Sequence, residues 1–428
     1  MNELTEKIET ELQTPDNNVY YRLYLEGEDI WNRWARGAFS DEEAEEYGLG
    51  KVEPFSDKEK ANLAAKLRVK LLPEYEDEID FSYLHFGLIT NFRGYVFPIN
   101  VTFNGAVFNG IADFSKATFA RPVDFTRAIF KEESAFHSTT FTTRTNFNEA
   151  TFLGASDFTL STFMRRAIFE ESTFKGKVTT FREVTFKGQV EFSRVQFFEI
   201  VDFINSGFLG PADFDGTMFN SYSSFENSSF LAITDFSNGY FKQVPDFSGA
   251  KLHEGTTFYK RYFNRKNKNA NSNGYAKFED SYRILKKHMI DTNNHTMALK
   301  FYSYEQDERI KHLPLFKKTP LLLYKWMSGY GVSFVRPLIA IFMTILVFTL
   351  TYTKIYNSLS FMEALRFSTA NMFPFASGSK LIISDVFRDP LLTNFIGTLQ
   401  ALTIIQSLVS LILLFFIGLW AKNTFQMK

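Results

Sequence analysis

Large apolar residues recur along the middle of the chain at two alternating intervals, five residues and six. The pattern runs from Phe81 to about Phe263 and slips once, by one residue, between Phe174 and Phe181. Of the 51 phenylalanines in the chain, 33 occupy this register. A period this regular indicates a repeat architecture, which has to be recognised before any single element is predicted.

The pattern fits extended backbone better than a helix. An eleven-residue apolar period can specify a right-handed coiled coil. Five helical steps, however, turn the chain by about 140°, which would place successive phenylalanines on nearly opposite faces. The segment is also rich in Thr, Ser, Gly and β-branched residues, which favour strands over helices. Short strands are therefore predicted.

The residue two before each phenylalanine is usually small or β-branched, and Asp often lies between the two. Residues 112–114 and 212–214, for example, both read Ala-Asp-Phe. Since alternate side chains of a strand face opposite sides, the small residue and the ring should fill the interior while Asp faces solvent. Burying each ring contributes roughly 1.5–3 kcal/mol, so we expect stacked rings to stabilise this segment.

This arrangement resembles the pentapeptide repeat family, whose unit is a small residue, Asp or Asn, Leu or Phe, and two polar residues. The resemblance implies an all-β, right-handed quadrilateral β-helix with a dry interior over residues 81–263. Every second unit here carries one extra residue, so a four-sided turn takes 22 residues rather than 20. The span from Phe81 to Phe258 then makes eight turns. The resemblance implies a fold but no activity.

Residues 1–80 are expected to form an α-helical cap. They are acidic, with 21 acidic and 10 basic side chains. Residues 27–36, GEDIWNRWAR, are similar to the Trp-Asn-x-Trp segment that often precedes the solenoid in bacterial pentapeptide repeat proteins. An open solenoid end exposes unpaired strand edges and needs a cap. We interpret Trp31 and Trp34 as cap residues, with an aromatic pair that binds a peptide or ligand as the alternative.

Residues 264–335 are expected to form a basic linker and an α-helical hairpin. The start, 264–274, is polar, and helical periodicity returns over 276–291 and 296–311. The hairpin is similar to one that joins solenoid to membrane segments in bacterial relatives, which implies a structural adaptor. Residues 264–336 carry 14 basic and 6 acidic side chains, a balance that favours attraction to anionic lipid.

Two apolar segments within 336–428 are predicted to cross a membrane. The first, about 337–354, contains 17 consecutive uncharged residues, which reaches the lower limit for a spanning helix. The second, about 393–421, ends in an uninterrupted apolar run. Lys and Arg are more frequent beside the outer ends of these segments than between them. We therefore expect a multi-pass protein of the bacterial inner (cell) membrane with both termini, and the solenoid, in the cytoplasm.

The connector between these segments resembles the helix, pore loop, helix layout of two-helix ion channels. Residues of about 359–380 would form a short helix and a re-entrant loop. The Thr-Val-Gly-Tyr-Gly filter of potassium channels is not present, so the resemblance concerns the layout alone. The pore-loop candidates are Ser368, Thr369, Asn371, Phe373, Pro374, Phe375 and Gly378.

The second apolar segment carries a polar stripe with helical spacing. Its members are Gln400, Thr403, Ser407 and Ser410, with Gln406 beside them. Polar groups in hydrocarbon have to face protein or water. Helix packing through hydroxyls and amides, the commoner arrangement, would account for the stripe, and so would the lining of a pore in a homo-oligomer. The sequence leaves both interpretations open.

No signature of an enzyme is present. The six histidines lack metal-ligand spacing, there is no cysteine, and neither a phosphate-binding glycine loop nor a nucleophile elbow occurs. We expect no catalytic residue, metal or cofactor. Some pentapeptide repeat proteins mimic DNA and inhibit gyrase, but the 18 acidic and 17 basic side chains of 81–263 disfavour a nucleic-acid mimic, which needs a net acidic rod.

Three functions follow, in order of preference. The first is a membrane protein whose cytoplasmic solenoid docks or senses an unidentified protein partner and whose helices form an oligomeric, ion-channel-like pore. The second is a non-conducting, membrane-tethered scaffold. The third is an inhibitor of the DNA-mimic type.

Overall fold

The computed structural model describes residues 18–76, 78–258, 275–355, 359–373, 382, 384 and 396–425. The chain divides into two compact units, Met1–His288 and Met289–Lys428. The first contains the solenoid and the described N-terminal helices, and the second contains the apolar helices.

The solenoid has four walls, each of which is a parallel sheet of two- or three-residue strands. The first sheet contains β1 (Ile79–Asp80), β5 (Val101–Thr102), β9 (Val123–Asp124), β13 (Thr145–Asn146), β17 (Ala167–Ile168), β21 (Val190–Glu191), β25 (Ala212–Asp213) and β29 (Thr234–Asp235). The second contains β2 (His85–Phe86), β6 (Val107–Phe108), β10 (Ile129–Phe130), β14 (Thr151–Phe152), β18 (Thr173–Phe174), β22 (Gln196–Phe197), β26 (Met218–Phe219) and β30 (Tyr240–Phe241). The third contains β3 (Ile89–Asn91), β7 (Ile111–Asp113), β11 (Ser134–Ala135), β15 (Ser156–Asp157), β19 (Val178–Thr180), β23 (Ile200–Asp202) and β27 (Ser223–Ser224). The fourth contains β4 (Val96–Phe97), β8 (Thr118–Phe119), β12 (Thr140–Phe141), β16 (Thr162–Phe163), β20 (Thr185–Phe186), β24 (Gly207–Phe208) and β28 (Ser229–Phe230).

The register of these strands confirms the predicted four-sided solenoid and its 22-residue turn. Ile79 pairs with Val101, and Val101 pairs with Val123. The strands make between seven and eight turns, compared with the eight predicted, and single bridges continue the pairing as far as Thr257.

The phenylalanine rings form four columns inside the walls. Phe125 stacks almost parallel on Phe103 and on Phe147, with ring centroids 4.8 Å apart and interplanar angles of 2° in both pairs. It also makes an edge-to-face contact with Phe136, in the column of the third sheet, 5.7 Å away at 86°. All four of these rings are fully buried. Both offset-stacked and edge-to-face contacts are favourable for aromatic pairs, so each ring satisfies the two geometries at once.

The solenoid turns its shorter corners at residues with left-handed backbone, a feature that the sequence analysis did not predict. In both five-residue corners of every layer, the residue two after the phenylalanine has a φ between 54° and 74°. The phenylalanine carbonyl accepts the N–H three residues on, as in Phe103 with Ala106 at 2.9 Å, which is the pattern of a type II turn. Gly occupies four of these 16 positions and Asn three. The other positions hold residues for which left-handed backbone is energetically unfavourable.

The Asp residues of the repeat do more than face solvent. Asp113 Oδ1 accepts the backbone N–H of Ser115 at 2.8 Å, and Asp157 does the same for Thr159 at 2.8 Å. Such bonds define Asx turns, in which a short carboxylate replaces a backbone acceptor. The side chains are therefore only half exposed, and each one holds the corner that its own layer has to make.

Some of the small residues of the repeat that are Ser or Thr also hydrogen-bond between layers. Thr139 Oγ1 donates to the carbonyl of Phe114 at 2.8 Å, and Thr217 Oγ1 donates to Phe192 at 2.7 Å. Both hydroxyl-bearing residues are fully buried. A buried hydroxyl without a partner is costly, so these bonds allow Ser and Thr to replace Ala inside the solenoid.

The single slip is absorbed at one corner of one turn. Strand pairs that cross it are offset by 23 residues, as in Thr162 with Thr185, and the offset returns to 22 in the next turn. Gly176 lies in this corner, where a Cβ would come within 2.0 Å of the Gly154 carbonyl oxygen of the layer beneath. The interplanar angle rises to 15° between Phe163 and Phe186. The extra residue therefore does not break the columns.

In the part of the N-terminal region that the structure describes, four helices precede the solenoid and confirm the predicted helical N-terminal region: α1 (Val19–Leu25), α2 (Glu28–Arg36), α3 (Asp41–Glu46) and α4 (Asp57–Lys66). Capping boxes begin α3 and α4. Ser40 and Glu43 exchange hydrogen bonds at the first, and Ser56 and Glu59 at the second. These pairs satisfy backbone N–H groups that would otherwise lack partners.

Six helices of the described residues follow the solenoid: α5 (Tyr275–Asp291), α6 (His295–His312), α7 (Leu315–Ser328), α8 (Val335–Ile355), α9 (Phe361–Met372) and α10 (Ile396–Phe425). The bounds of α5 and α6 agree with the predicted helices within one residue, whereas α7 was not predicted. Two of the described helices, α8 and the 397–423 part of α10, are long and apolar enough to cross a membrane, judged by length and composition.

The apolar helices of the second unit pack around two clusters of buried side chains. Tyr352, Ala364, Phe367 and Leu399 form one cluster, which joins α8, α9 and α10. The other comprises Met327, Ile341, Met372, Leu413 and Phe416, and it brings in the end of α7. The short helix α9 therefore lies against both long helices.

Truncating one ring of a column should destabilise the solenoid strongly. Phe147→Ala removes a fully buried ring with stacking partners on both sides, and we expect a loss of about 3–5 kcal/mol of unfolding free energy. Urea denaturation followed by circular dichroism measures this loss. Phe198→Ala is the control, because Phe198 lies outside the register and is 40% exposed. A similar loss in both variants would contradict the ring columns as the source of stability.

Replacing a strained corner residue should stabilise the solenoid. Leu160 is half exposed with a φ of 62°, and Asn tolerates this conformation better. We expect Leu160→Asn to raise the unfolding free energy by about 0.5–1 kcal/mol, since left-handed backbone costs most residues about 1–2 kcal/mol. Asn205 occupies the equivalent corner two layers on, so Asn205→Leu should lower it by a similar amount. Shifts of the same sign in the two variants would count against this explanation.

Candidate functional site

The N-terminal helices hydrogen-bond to the open edge of the solenoid. The Trp31 indole N–H donates to the Val96 carbonyl at 2.8 Å. The Asn32 amide donates to the Gly94 carbonyl at 3.1 Å, and its Oδ1 accepts the Val96 N–H at 2.9 Å. Val96 begins β4, the edge strand of the fourth sheet. Side chains of α2 therefore pair backbone groups that a preceding strand would otherwise pair.

Two more sheet edges receive bonds from the residues around α1. The Asn18 amide donates to the Asp80 carbonyl at 2.5 Å, at the edge of the first sheet. The Tyr24 hydroxyl accepts the Asn91 N–H at 3.0 Å, at the edge of the third. Burial raises the pKa of Tyr24, which keeps its hydroxyl neutral. Three of the four sheets are thus contacted at this end by polar side chains.

The two tryptophans occupy different layers of this end. The Trp31 ring meets Phe97, the first ring of its column, edge-on at 5.4 Å. Trp34 lies behind it, at 5.3 Å from Trp31, and its indole N–H donates to the Pro73 carbonyl at 3.1 Å. Both side chains are buried. Trp31 therefore extends the ring column of the solenoid, and Trp34 holds Trp31 from the helical side.

A cluster of hydrogen-bonded polar side chains lies among the apolar helices of the second unit. Gln406 of α10 is fully buried, and its amide N–H₂ donates to both the carbonyl and the hydroxyl oxygen of Ser368 in α9, each at 2.8 Å. Its Oε1 accepts the Tyr352 hydroxyl of α8 at 3.0 Å. The Ser368 hydroxyl in turn donates to the Ile345 carbonyl at 3.0 Å. One glutamine therefore links all three helices.

One turn further along α9 and α10, the polar contacts become incomplete. The Ser410 hydroxyl donates to the Met372 carbonyl, and Ser410 is fully buried. Asn371 is also fully buried, but neither its amide nitrogen nor its amide oxygen has a partner among the described residues. An unpaired buried amide costs about 1–3 kcal/mol. Asn371 is therefore a point of local instability in this unit.

Charged side chains on the solenoid pair with each other between layers. Arg127 makes a two-pronged contact with Glu149, at 2.8 and 3.2 Å, at one left-handed corner. Arg182 pairs with Asp202 at 2.5 Å on another wall. The Arg127 guanidinium lowers the pKa of Glu149. Exposed pairs of this kind contribute little stability, but they intersperse positive charge among the carboxylates.

Comparison with known families identifies the repeat. Residues 103–150 and 169–218 match the model of pentapeptide repeats, in nine copies. The solenoid is a pentapeptide repeat domain. No curated protein and no solved structure matches the chain. Residues 151–168, which lie between the matched ranges, contribute β14 to β17 in the same register, so the pentapeptide repeat domain continues through them.

The predicted pore-loop residues fall at the end of α9, away from the pentapeptide repeat domain along the chain. Four of them are described, namely Ser368, Thr369, Asn371 and Phe373. Pro374, Phe375 and Gly378 lie outside the described residues. Ser368 belongs to the polar cluster, the Thr369 hydroxyl donates to the Leu365 carbonyl at 2.7 Å, and Phe373 is 39% exposed.

The predicted polar stripe of α10 is divided between two faces. Gln406 and Ser410 are buried against α9, whereas Gln400 is exposed. Ser407 is half-buried, and the Thr403 hydroxyl donates to the carbonyl of Leu399 in its own helix at 2.8 Å. The inner residues thus have hydrogen bonds within the chain, and the outer ones point away from it.

Two contributors were missed by the sequence analysis. Tyr352 joins the polar cluster, and the available signal was a phenol hydroxyl in a segment without charged residues. Asn32 makes two bonds to the pentapeptide repeat domain, and it lies between the two tryptophans of the predicted cap. Among the described residues, no group of three or more His, Cys, Asp or Glu side chains could hold a metal ion.

Removing the Asn32 amide should weaken the N-terminal end of the pentapeptide repeat domain. Asn32→Ala leaves the Val96 N–H and the Gly94 carbonyl without side-chain partners, and we expect a loss of about 1–3 kcal/mol. Hydrogen exchange at residues 94–97, measured by mass spectrometry, should speed up. Asn220→Ala, on a wall of the solenoid remote from this end, is the control. Unchanged exchange at 94–97 would show that Asn32 does not protect the edge.

Proposed function

We propose that the protein is a membrane-integrated pentapeptide repeat protein whose C-terminal helices assemble into an oligomeric, ion-channel-like pore. Its solenoid docks an unidentified protein partner in the bacterial cytoplasm, where both termini also lie. The proposal is carried by the outward apolar surface of the two long helices. Only 17% of the most apolar stretch of α8 and 22% of that of α10 are buried, whereas the core helix of a soluble protein is mostly buried.

The outward side chains of these helices suit a lipid environment. Phe342 and Phe415 are 66% and 62% exposed. A large exposed apolar surface is unfavourable in water, but hydrocarbon is its natural solvent. At 1.5 Å per residue, α8 is long enough to cross a hydrocarbon layer of about 30 Å. The two helices are accordingly assigned as membrane spans.

The short helix α9 supports a re-entrant layout. Its 12 residues extend about 18 Å, too little to cross the same layer. Ser368 and Met372 tie it to α8 and α10 by hydrogen bonds. A polar helix end at membrane depth is tolerated where protein or a water-filled cavity surrounds it. This is the arrangement expected beside a pore.

An oligomer is favoured by the outer residues of the polar stripe. Gln400 is exposed on a helix whose outward side chains are mostly apolar, including Ile404 and Leu408. Because amides in hydrocarbon require protein or water partners, Gln400 and Ser407 would face a neighbouring subunit or a water path. Two spans in one chain cannot enclose such a path, so several subunits are needed.

A non-conducting scaffold is the second candidate. It is favoured by Gln406 and Ser410, whose polar atoms bond within the chain and leave the inner half of the stripe unavailable to line a pore. The interleaved Arg residues on the solenoid give no support to a DNA mimic.

Conduction tests the proposed pore directly. Full-length protein in planar bilayers should give discrete current steps, and Gln400→Leu should lower or abolish them because it removes the polar group of the path. Ile405→Leu, at an exposed apolar position of the same helix, should leave the current unchanged. Traces that stay at baseline for the wild-type protein would remove the pore and leave the scaffold.

The absence of cysteine from the chain allows the assembly to be tested in the same membranes. A single Gln400→Cys substitution should form disulfide-linked dimers on mild oxidation, whereas Phe342→Cys on α8 should not. Equal cross-linking at both positions would indicate random collision rather than an axis lined by α10.

A further inference from the structure

We propose that the groove between α7 and the start of α8 is a binding site for one anionic phospholipid. This inference rests on the proposed membrane integration. Leu322, Trp326, Ile339 and Met343 line the groove, together with Lys325, Met327, Arg336 and Ala340. Its volume of about 840 Å³ is that of a site for a chain-like ligand rather than for a single ion.

The walls of the groove are apolar and open to the outside. Trp326 is 73% exposed, Ile339 56% and Met343 54%. The last two lie four residues apart on α8, so they form one continuous strip along its first two turns. An acyl chain that entered beside Trp326 could follow this strip towards the middle of the membrane.

Positive charge lies at the mouth of the same groove. Arg336 Nη1 donates to the Lys325 carbonyl at 3.0 Å, which holds the exposed guanidinium beside the groove. Lys325 Nζ is 2.9 Å from Asp307 Oδ1, and Asp307 also accepts the Tyr330 hydroxyl at 2.8 Å. Since Asp307 offsets Lys325, Arg336 supplies the remaining charge, and guanidinium suits a phosphate diester well.

The sequence around the groove adds charge of one sign. Residues 309–362 contain no Asp or Glu, and six Lys or Arg residues lie between 309 and 336. Lys318 lies seven residues before Lys325, on the same face of α7. Basic pockets at the cytoplasmic end of membrane helices bind anionic head groups. A zwitterionic lipid would meet the same apolar strip but would gain less from Arg336.

Tryptophan quenching tests this site in the full-length protein. Vesicles contain phosphatidylcholine with a minor fraction of phosphatidylglycerol, and brominated acyl chains are placed on one lipid or the other at equal mole fraction. The difference between wild type and Trp326→Phe isolates the signal of Trp326 from the other three tryptophans. We expect stronger quenching when phosphatidylglycerol carries the bromine.

Variants of Arg336 test whether the preference for phosphatidylglycerol arises at the mouth of the groove. Arg336→Gln should lower the preference for phosphatidylglycerol about fivefold, as expected for one basic residue near an anionic surface, and Arg336→Lys should retain most of it. Lys354→Gln, at the opposite end of α8, is the matched control and should change nothing. The wild-type comparison decides the question even where Arg336→Gln does not fold.

The quenching results distinguish failure of the lipid site from failure of the proposed membrane integration. Equal quenching by both lipids would overturn the lipid site and leave membrane integration standing. No quenching of Trp326 by either lipid would overturn the site and the placement of α8 in the membrane together. If soluble glycerol phosphate removed the preference, the groove would bind phosphate rather than a lipid, and the proposal would fail on that ground.

Discussion

The pentapeptide repeat domain depends on one spacing, the distance between successive strands of a parallel sheet, which is about 4.8 Å. The stacked rings of Phe103 and Phe125 are also 4.8 Å apart. Backbone hydrogen bonding and ring stacking therefore require the same rise per layer, and neither has to be distorted to suit the other. A column of identical rings can continue for as many layers as the register holds, which makes the number of turns a consequence of sequence length alone.

The strained backbone of the pentapeptide repeat domain lies at its corners. A four-sided turn of 22 residues has to bend sharply four times, and its two shorter bends use left-handed backbone even at Leu160 and Lys116, with φ of 62° and 61°. Asx turns such as that of Asp113 compensate by fixing the adjoining N–H group. The strained backbone at the corners is tolerated because packing of the buried rings, rather than the preference of the corner residues, determines the path of the chain. The 23-residue turn agrees with this, because its corner takes up the extra residue while the ring columns continue.

The regular half of the molecule could be predicted from the sequence because its information is repeated. A single phenylalanine such as Phe147 predicts no secondary structure, but a register of 33 phenylalanines excludes the helical alternative. The left-handed corners were missed because Glu149 and Arg127 carry no local signal for positive φ, which is imposed on them by the layers above and below. Asn32 was missed for a related reason. Its role depends on which strand happens to be the exposed edge, and that is a property of the assembled end rather than of a motif.

The apolar helices were harder to interpret because one stripe of polar residues can serve two purposes. Sequence spacing placed Gln400, Ser407 and Ser410 on one line. In the structure, Gln406 and Ser410 are buried against α9, whereas Gln400 is exposed. Packing of α9 decides the division, and no pattern within α10 encodes it. The same packing leaves the Asn371 amide unpaired. A buried, unsatisfied amide one turn along α9 from the hydrogen-bonded Ser368 therefore weakens this packing by about 1–3 kcal/mol.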